Sequence, residues 1–202
     1  LALTGKNCGL EERAPMCGIP YHAVDSYLNR LVSKGYKVAI CEQVEDPKTA
    51  KGLVKREVVR IVTPGTNLDT QGLDEGQNNY LMCIVYIADR YGLSVTDVTT
   101  GEYMVTELDD SDRLRDEIHK FMPSEIICNE PFYMSGMNLD DLRDRLGIAI
   151  SALDAWYFDD ELSRRTLLDH FHVGTLDGLG LADYDCGVIA AGALMKFLEV
   201  TQ

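Results

Sequence analysis

Y-L-M-C-I-V-Y-I-A-D-R-Y-G-L-S-V-T-D-V-T-T-G-E-Y-M-V-T-E-L, residues Tyr80 to Leu108, is the stretch that decides the fold. Tyr80 to Ala88 is a nearly continuous apolar run and predicts a strand. Asp89-Arg-Tyr-Gly predicts a hairpin turn, Leu93 to Thr99 a second strand, Thr100-Gly101 another turn and Glu102 to Leu108 a third strand. Working downstream, Ser111 is the expected cap of a helix to about Phe121, with Leu114, Ile118 and Phe121 inward. Ser124 to Cys128 reads as a fourth strand, Leu139 to Leu146 as a short helix and Ile148 to Ser151 as a fifth strand. Asp159 to His170 reads as a helix, and Tyr184 to Thr201 as a long Ala/Leu-rich one. The order β-β-β-α-β-α-β-α is an antiparallel meander continued by α/β crossovers, an α/β arrangement of ribonuclease-H-like type.

That order raises the reading of a metal-dependent nuclease, whose metal ions need carboxylates on the first strand, first helix and fourth strand. Here the first strand has no acid until Asp89 at its end. Asp97, inside the second strand, reads as a solvent-facing acid on a half-exposed strand, and a fold without its carboxylates is not a function. The six cysteines are scattered, with no C-x-x-C, and His170 and His172 do not converge on one ion from a helix end, so no metal ligand is assigned. Cys41, Cys83 and Cys128 lie inside apolar runs and read as reduced, buried core thiols, which points to the cytoplasm.

Upstream of Tyr80 the chain changes character. Residues 1–66 hold ten Lys/Arg against seven acids, a net charge of about +3, whereas the remaining 136 residues carry about −17 of the overall −14. A segregated basic part can touch a polyanion while the acidic part stays clear of it. Leu1 to Thr4 alternates like a strand, Asn7 to Pro20 reads as a loop, and Tyr21 to Lys34 as a helix with Gly35 at its C-terminal cap. Tyr36 to Val44 and Val54 to Thr63 are predicted strands, stopped by Pro64-Gly65; Tyr21, Tyr27 and Tyr36 are expected in the core. The polar run Asn67 to Asn79 reads as an interdomain linker. No apolar run is long enough for a membrane span, and the opening Leu1-Ala-Leu-Thr, without Met or leader pattern, reads as the interior of something longer.

Four blocks then stand in order: P-M-C-G-I-P-Y-H-A-V-D-S-Y-L-N-R-L-V at Pro15 to Val32, K-G-Y-K-V-A-I-C-E-Q at Lys34 to Gln43, E-D-P-K-T-A-K-G at Glu45 to Gly52, and K-R-E-V-V-R-I-V-T-P-G-T at Lys55 to Thr66. Together they resemble the MutS family of DNA mismatch-recognition proteins, with weaker echoes at Asp97 to Glu102 and Gly192 to Leu198. The resemblance implies that residues 1–66 are the C-terminal part of a mismatch-binding domain and 67–77 a linker. It makes 78–183 a non-catalytic, ribonuclease-H-like connector and 184–202 the start of the core, or lever, domain. It also implies mismatched duplex DNA, MutL and a second copy as partners of the full-length family, and ATP with Mg as its cofactors. No G-x-x-x-x-G-K-[ST] loop occurs in these 202 residues, and no Phe precedes Phe121, so neither the family's ATP site nor its intercalating Phe-x-Glu is among them. No catalytic residue or cofactor is therefore assigned.

Two groups are the expected DNA contacts. Arg13, Met16, Gly18 and His22 lie in or beside the Gly/Pro-rich loop before the first helix, where a close backbone approach and a cation suit a phosphate chain. Lys48, Lys51, Lys55 and Arg56 form a basic run between two strands, with plain solvated charge as the alternative reading. On the Asp159 to His170 helix, Arg164, Arg165, Asp169 and His170 are the candidates for docking MutL, the plain reading being a helix that covers the sheet.

Overall fold

The computed structural model describes residues 2–9, 11–68 and 78–201, and the α/β expectation holds. Tyr80–Ile87 (β5), Arg90–Asp97 (β6), Glu102–Leu108 (β7), Glu125–Cys128 (β8) and Ala149–Ala152 (β9) form one sheet in the order β7-β6-β5-β8-β9. The first three strands pair antiparallel and β8 and β9 run parallel to β5, consistent with a ribonuclease-H-like sheet. β5 is apolar throughout because both its faces are covered. Met82 and Ile84 face Leu114 and Ile118 of helix Ser111–Phe121 (α2), together with the short helices Glu130–Tyr133 (α3) and Leu139–Asp144 (α4). Leu81, Cys83 and Val85 face Ala190, Ala193, Leu194 and Phe197 of helix Cys186–Thr201 (α6), which in turn packs on helix Asp160–Phe171 (α5). Each large apolar side chain fully buried here contributes about 1.5–3 kcal/mol.

Ala and Gly are concentrated in the first half of α6, which is hemmed in by the sheet and by α5. A Cβ on Gly192 would stand 2.3 Å from the Cα of Ser163 on α5, so only glycine permits this crossing. The sequence reading gives residues 184–202 to a following domain; the body of α6 instead lies in the core of this layer. The hairpin turn also differs from expectation. It is Ala88-Asp89, both at positive φ, and Arg90 to Gly92 already belong to β6. Asp110, not Ser111, caps α2, its side chain accepting the N–H of Asp112.

Upstream, Ala2–Lys6 (β1) pairs antiparallel with Ala14–Gly18 (β2), and Val38–Gln43 (β3) with Arg56–Val62 (β4), as two separate ribbons. β2 corrects the expected loop: Pro15 and Gly18 hide its alternation, and Pro15 is tolerated because β2 pairs on one side alone. Helix Val24–Val32 (α1) buries Leu28 and Val32 against Val62, Val38 and Ile40. Gly35, at φ 82°, ends it as expected, its N–H reaching the Val32 carbonyl and that of Tyr36 the Leu31 carbonyl. With so few partners the ribbons bury little. Cys41, Tyr21 and Tyr36 are exposed rather than core residues, and Tyr27 is half-buried, while Cys83 and Cys128 are buried as expected. Most of the expected linker, residues 69–77, lies outside the described residues.

Candidate nucleic-acid interface

The β1–β2 ribbon presents the first candidate group. Arg13 immediately precedes β2, exposed, and its aliphatic stem crosses Gly5, whose absent Cβ would stand 3.0 Å from that of Arg13. Its guanidinium makes no ion pair among the described residues. Met16 sits opposite Thr4, whose hydroxyl donates to the Met16 carbonyl at 3.0 Å, and 45% of its surface is exposed. Gly18 ends β2 in open space, and His22 lies exposed in the 3-10 turn Tyr21–Ala23 that leads into α1. No side chain caps the N-terminus of α1; the N–H of its first residue, Val24, donates to the Tyr21 carbonyl of that turn.

The second group occupies the far end of the β3–β4 ribbon. Val38 and Val62 pair at the end docked on the rest of the molecule, and Gln43 and Arg56 pair at the other, roughly 20 Å away by strand rise. Asp46 opens the connection there by accepting the N–H of Lys48 at 2.9 Å. Lys48 and Lys51 point into solvent without an ion pair among the described residues. Lys55 is held 2.5 Å from Oε1 of Glu57, and Arg56 donates to the Val54 carbonyl at 3.2 Å. The fold thus gathers Lys48, Lys51, Lys55 and Arg56 at one ribbon tip. It does not join them to Arg13, Met16, Gly18 and His22 in a common sheet.

On α5 the four docking candidates divide. Arg164 is committed within the molecule, with Nε 2.9 and 3.0 Å from the two carboxylate oxygens of Asp160 and a further contact to Asp185 at 3.7 Å. Arg165 and Asp169, one turn apart, and His170, set edge-on against Phe171, are exposed; Ser163, Thr166 and Leu167 form the buried face.

Asp97 and Glu125 are fully buried, and neither is disposed as a nuclease would need. Asp97 is not solvent-facing: it accepts the N–H of Asn79 at 3.2 Å and both the N–H and hydroxyl of Thr99 at 2.8 and 2.6 Å. Glu125, the first residue of β8, faces the ammonium of Lys37 at 3.1 Å and accepts the N–H of Gly65 at 3.1 Å. Opposite Tyr80 and Leu81 respectively, the two mark the N-terminal end of β5, whereas open α/β sheets hold ligands beyond the C-terminal ends of their strands. Among the described residues no three His, Cys, Asp or Glu side chains converge as metal ligands. Glu125 instead binds the N-terminal part to the sheet, while Asp97 holds the turn within its own part. Sequence reading misses Glu125, whose only signal is an acid opening the apolar strand E-I-I-C.

Residues 1–71 match the family described as MutS domain I, and residues 79–202 match MutS domain II. Over 202 residues the chain is 60% identical to the DNA mismatch repair protein MutS of Lachnoclostridium phytofermentans. It is 48% identical to those of Ruminiclostridium cellulolyticum and Acetivibrio thermocellus. All of this chain is covered in each comparison, and it spans 22–23% of the length of these relatives.

Proposed function

Because the chain belongs to the MutS family of DNA mismatch repair proteins, we propose that its basic N-terminal half touches the phosphates of duplex DNA and its acidic half serves as a connector. The observation that carries this reading is the exposure of the cations on ribbon tips and loop in a half of net charge about +3, beside a half of about −17. Arg13 and the backbone at Met16 and Gly18, with His22, form one contact; Lys48 and Lys51, flanked by Lys55 and Arg56, form the other. Both are phosphate contacts, which fix position without reading bases. The working boundaries are residues 1–66, a link at 67–77, and a connector from 78 onward that contains α6.

In the whole protein the connector couples DNA engagement to ATP-driven steps, with MutL docking on Arg165, Asp169 and His170 of α5. Dimerisation belongs to the whole protein. Among the described residues no helix is long and apolar enough to cross a membrane, and free thiols at Cys83, Cys128 and Cys186 suit work in the cytoplasm.

Amide shift mapping tests the DNA reading. A short matched duplex and its single-mismatch counterpart, titrated into the 202-residue chain, are expected to move signals of residues 11–22 and 44–56 to the same extent. Shifts centred on α5, or confined to the mismatched duplex, would refute it.

A further inference from the structure

Lys37 stands between α1 and β3, in the N-terminal half, yet its ammonium reaches three elements of the other half. It lies 3.1 Å from Oε1 of Glu125 on β8, donates to Oγ of Ser151 on β9 at 2.9 Å, and sits 5.2 Å from the ring centre of Phe197 on α6. The Glu125 side chain is fully buried, whereas 38% of the Lys37 side chain is exposed, so the cation closes the carboxylate off from solvent. The other carboxylate oxygen is taken by the Gly65 N–H. Both oxygens of one buried acid are thus held from across the junction.

The surroundings make this contact exacting. Gly65 is pressed so tightly on the sheet that a Cβ would stand 2.7 Å from Cδ1 of Leu81 and 3.2 Å from Cβ of Glu125. Its turn is locked by Thr63 and Thr66, both buried: Oγ1 of Thr66 accepts the Thr63 N–H, and the two hydroxyls bond each other. Asn79 clips the same turn by donating to the carbonyls of Pro64 and Asn67, and its own oxygen accepts the hydroxyl of Ser124. A buried carboxylate needs a counter-charge, and Lys37 supplies it from the half that must be held.

We propose that Lys37 is a positioning residue: it fixes how the β3–β4 ribbon sits on the connector and ties that ribbon to α6 at Phe197. A displacement of α6 then draws on Lys37 and reaches β3, and a load on the ribbon tip returns along the same path. Only the consequence for DNA rests on the proposed function; the mechanical link stands without it.

The test is amide hydrogen exchange of the whole chain, without DNA, in Lys37→Met, Lys37→Arg and Glu125→Gln. Lys37→Met and Glu125→Gln are expected to speed exchange at least tenfold at Val62–Thr66 and at Leu194–Leu198, leaving Met82–Val85 at the wild-type rate; Lys37→Arg restores both. Glu125→Gln, which keeps an acceptor for Gly65, serves where Lys37→Met fails to fold. Wild-type exchange at Leu194–Leu198 in Glu125→Gln, or equal acceleration across Met82–Val85, would overturn the proposal. A failed DNA titration would leave it untouched.

Discussion

Oε1 of Glu107 accepts the backbone N–H of Gly187 at 2.8 Å, so a side chain from β7 closes the N-terminus of α6. The same oxygen accepts the N–H of Asp185 at 2.6 Å, and Arg90 lies 2.6 Å from the other oxygen. Burial, the strongest single influence, raises the Glu107 pKa. The amides of Gly187 and Asp185, the Cys186 thiol and Arg90 together outweigh it and hold the carboxyl below its ordinary value.

A carboxyl with a lowered folded pKa stabilises fully above its unfolded value of about 4.3 and loses that contribution as pH falls through the folded value. Glu107→Gln is therefore expected to be less stable than wild type at pH 7 by about 1–3 kcal/mol. The two melting curves converge as the pH is lowered from about 5 to 2.5. Thermal melts across that range check it; a constant gap would contradict it.

Three glycines separate packing from DNA contact. A Cβ at Gly92 would stand 2.0 Å from the carbonyl oxygen of Cys186, backbone that carries the start of α6, whereas at Gly65 it would meet the Leu81 side chain at 2.7 Å. Urea unfolding is expected to show a loss of about 1–3 kcal/mol for Gly65→Ala and a larger loss for Gly92→Ala. Gly18 has nothing within 4 Å of the added carbon, so Gly18→Ala stays within about 0.5 kcal/mol of wild type. A Gly92→Ala variant as stable as Gly18→Ala would show that α6 does not seat on β6 as described.

The thiols fall into two classes. Cys8, Cys17 and Cys41 are exposed; Cys83, Cys128 and Cys186 are buried. Burial pushes Cys83 well up and Cys128 up to about 12. Cys186 rises to about 11 through burial first and the Glu107 carboxylate second. An aromatic disulfide reagent at pH 8 is expected to modify three thiols within minutes and the other three only after unfolding. Rapid modification of a fourth in the native protein would place one of the buried three at the surface.

The sheet that begins at Tyr80 was legible because its signals are local. The apolar run of β5 and the turn at Thr100-Gly101 announce strands without reference to anything distant, and the expected bounds of β7 match the structure. Gly35 likewise marks the end of α1 through a conformation that suits glycine. Cys41 and Tyr36 misled because an apolar pattern says which residues could be buried, and the β3–β4 ribbon offers them no second layer. The charge step and its exposed lysines could be read from composition. Lys37 could not, since its partners Glu125 and Ser151 lie 88 and 114 residues further along the chain.

Salt dependence of duplex binding shows most directly whether this chain meets DNA through phosphate contacts of its basic part. Anisotropy of a labelled matched duplex would be followed from 50 to 200 mM salt for wild type, Lys48→Gln/Lys51→Gln and, as a control on the connector, Arg165→Gln. Log K for wild type is expected to fall linearly with log salt, and the double variant to bind more weakly with a slope shallower by about 2. Arg165→Gln should match wild type. An unchanged slope and affinity in the double variant, or an equal loss in Arg165→Gln, would contradict it.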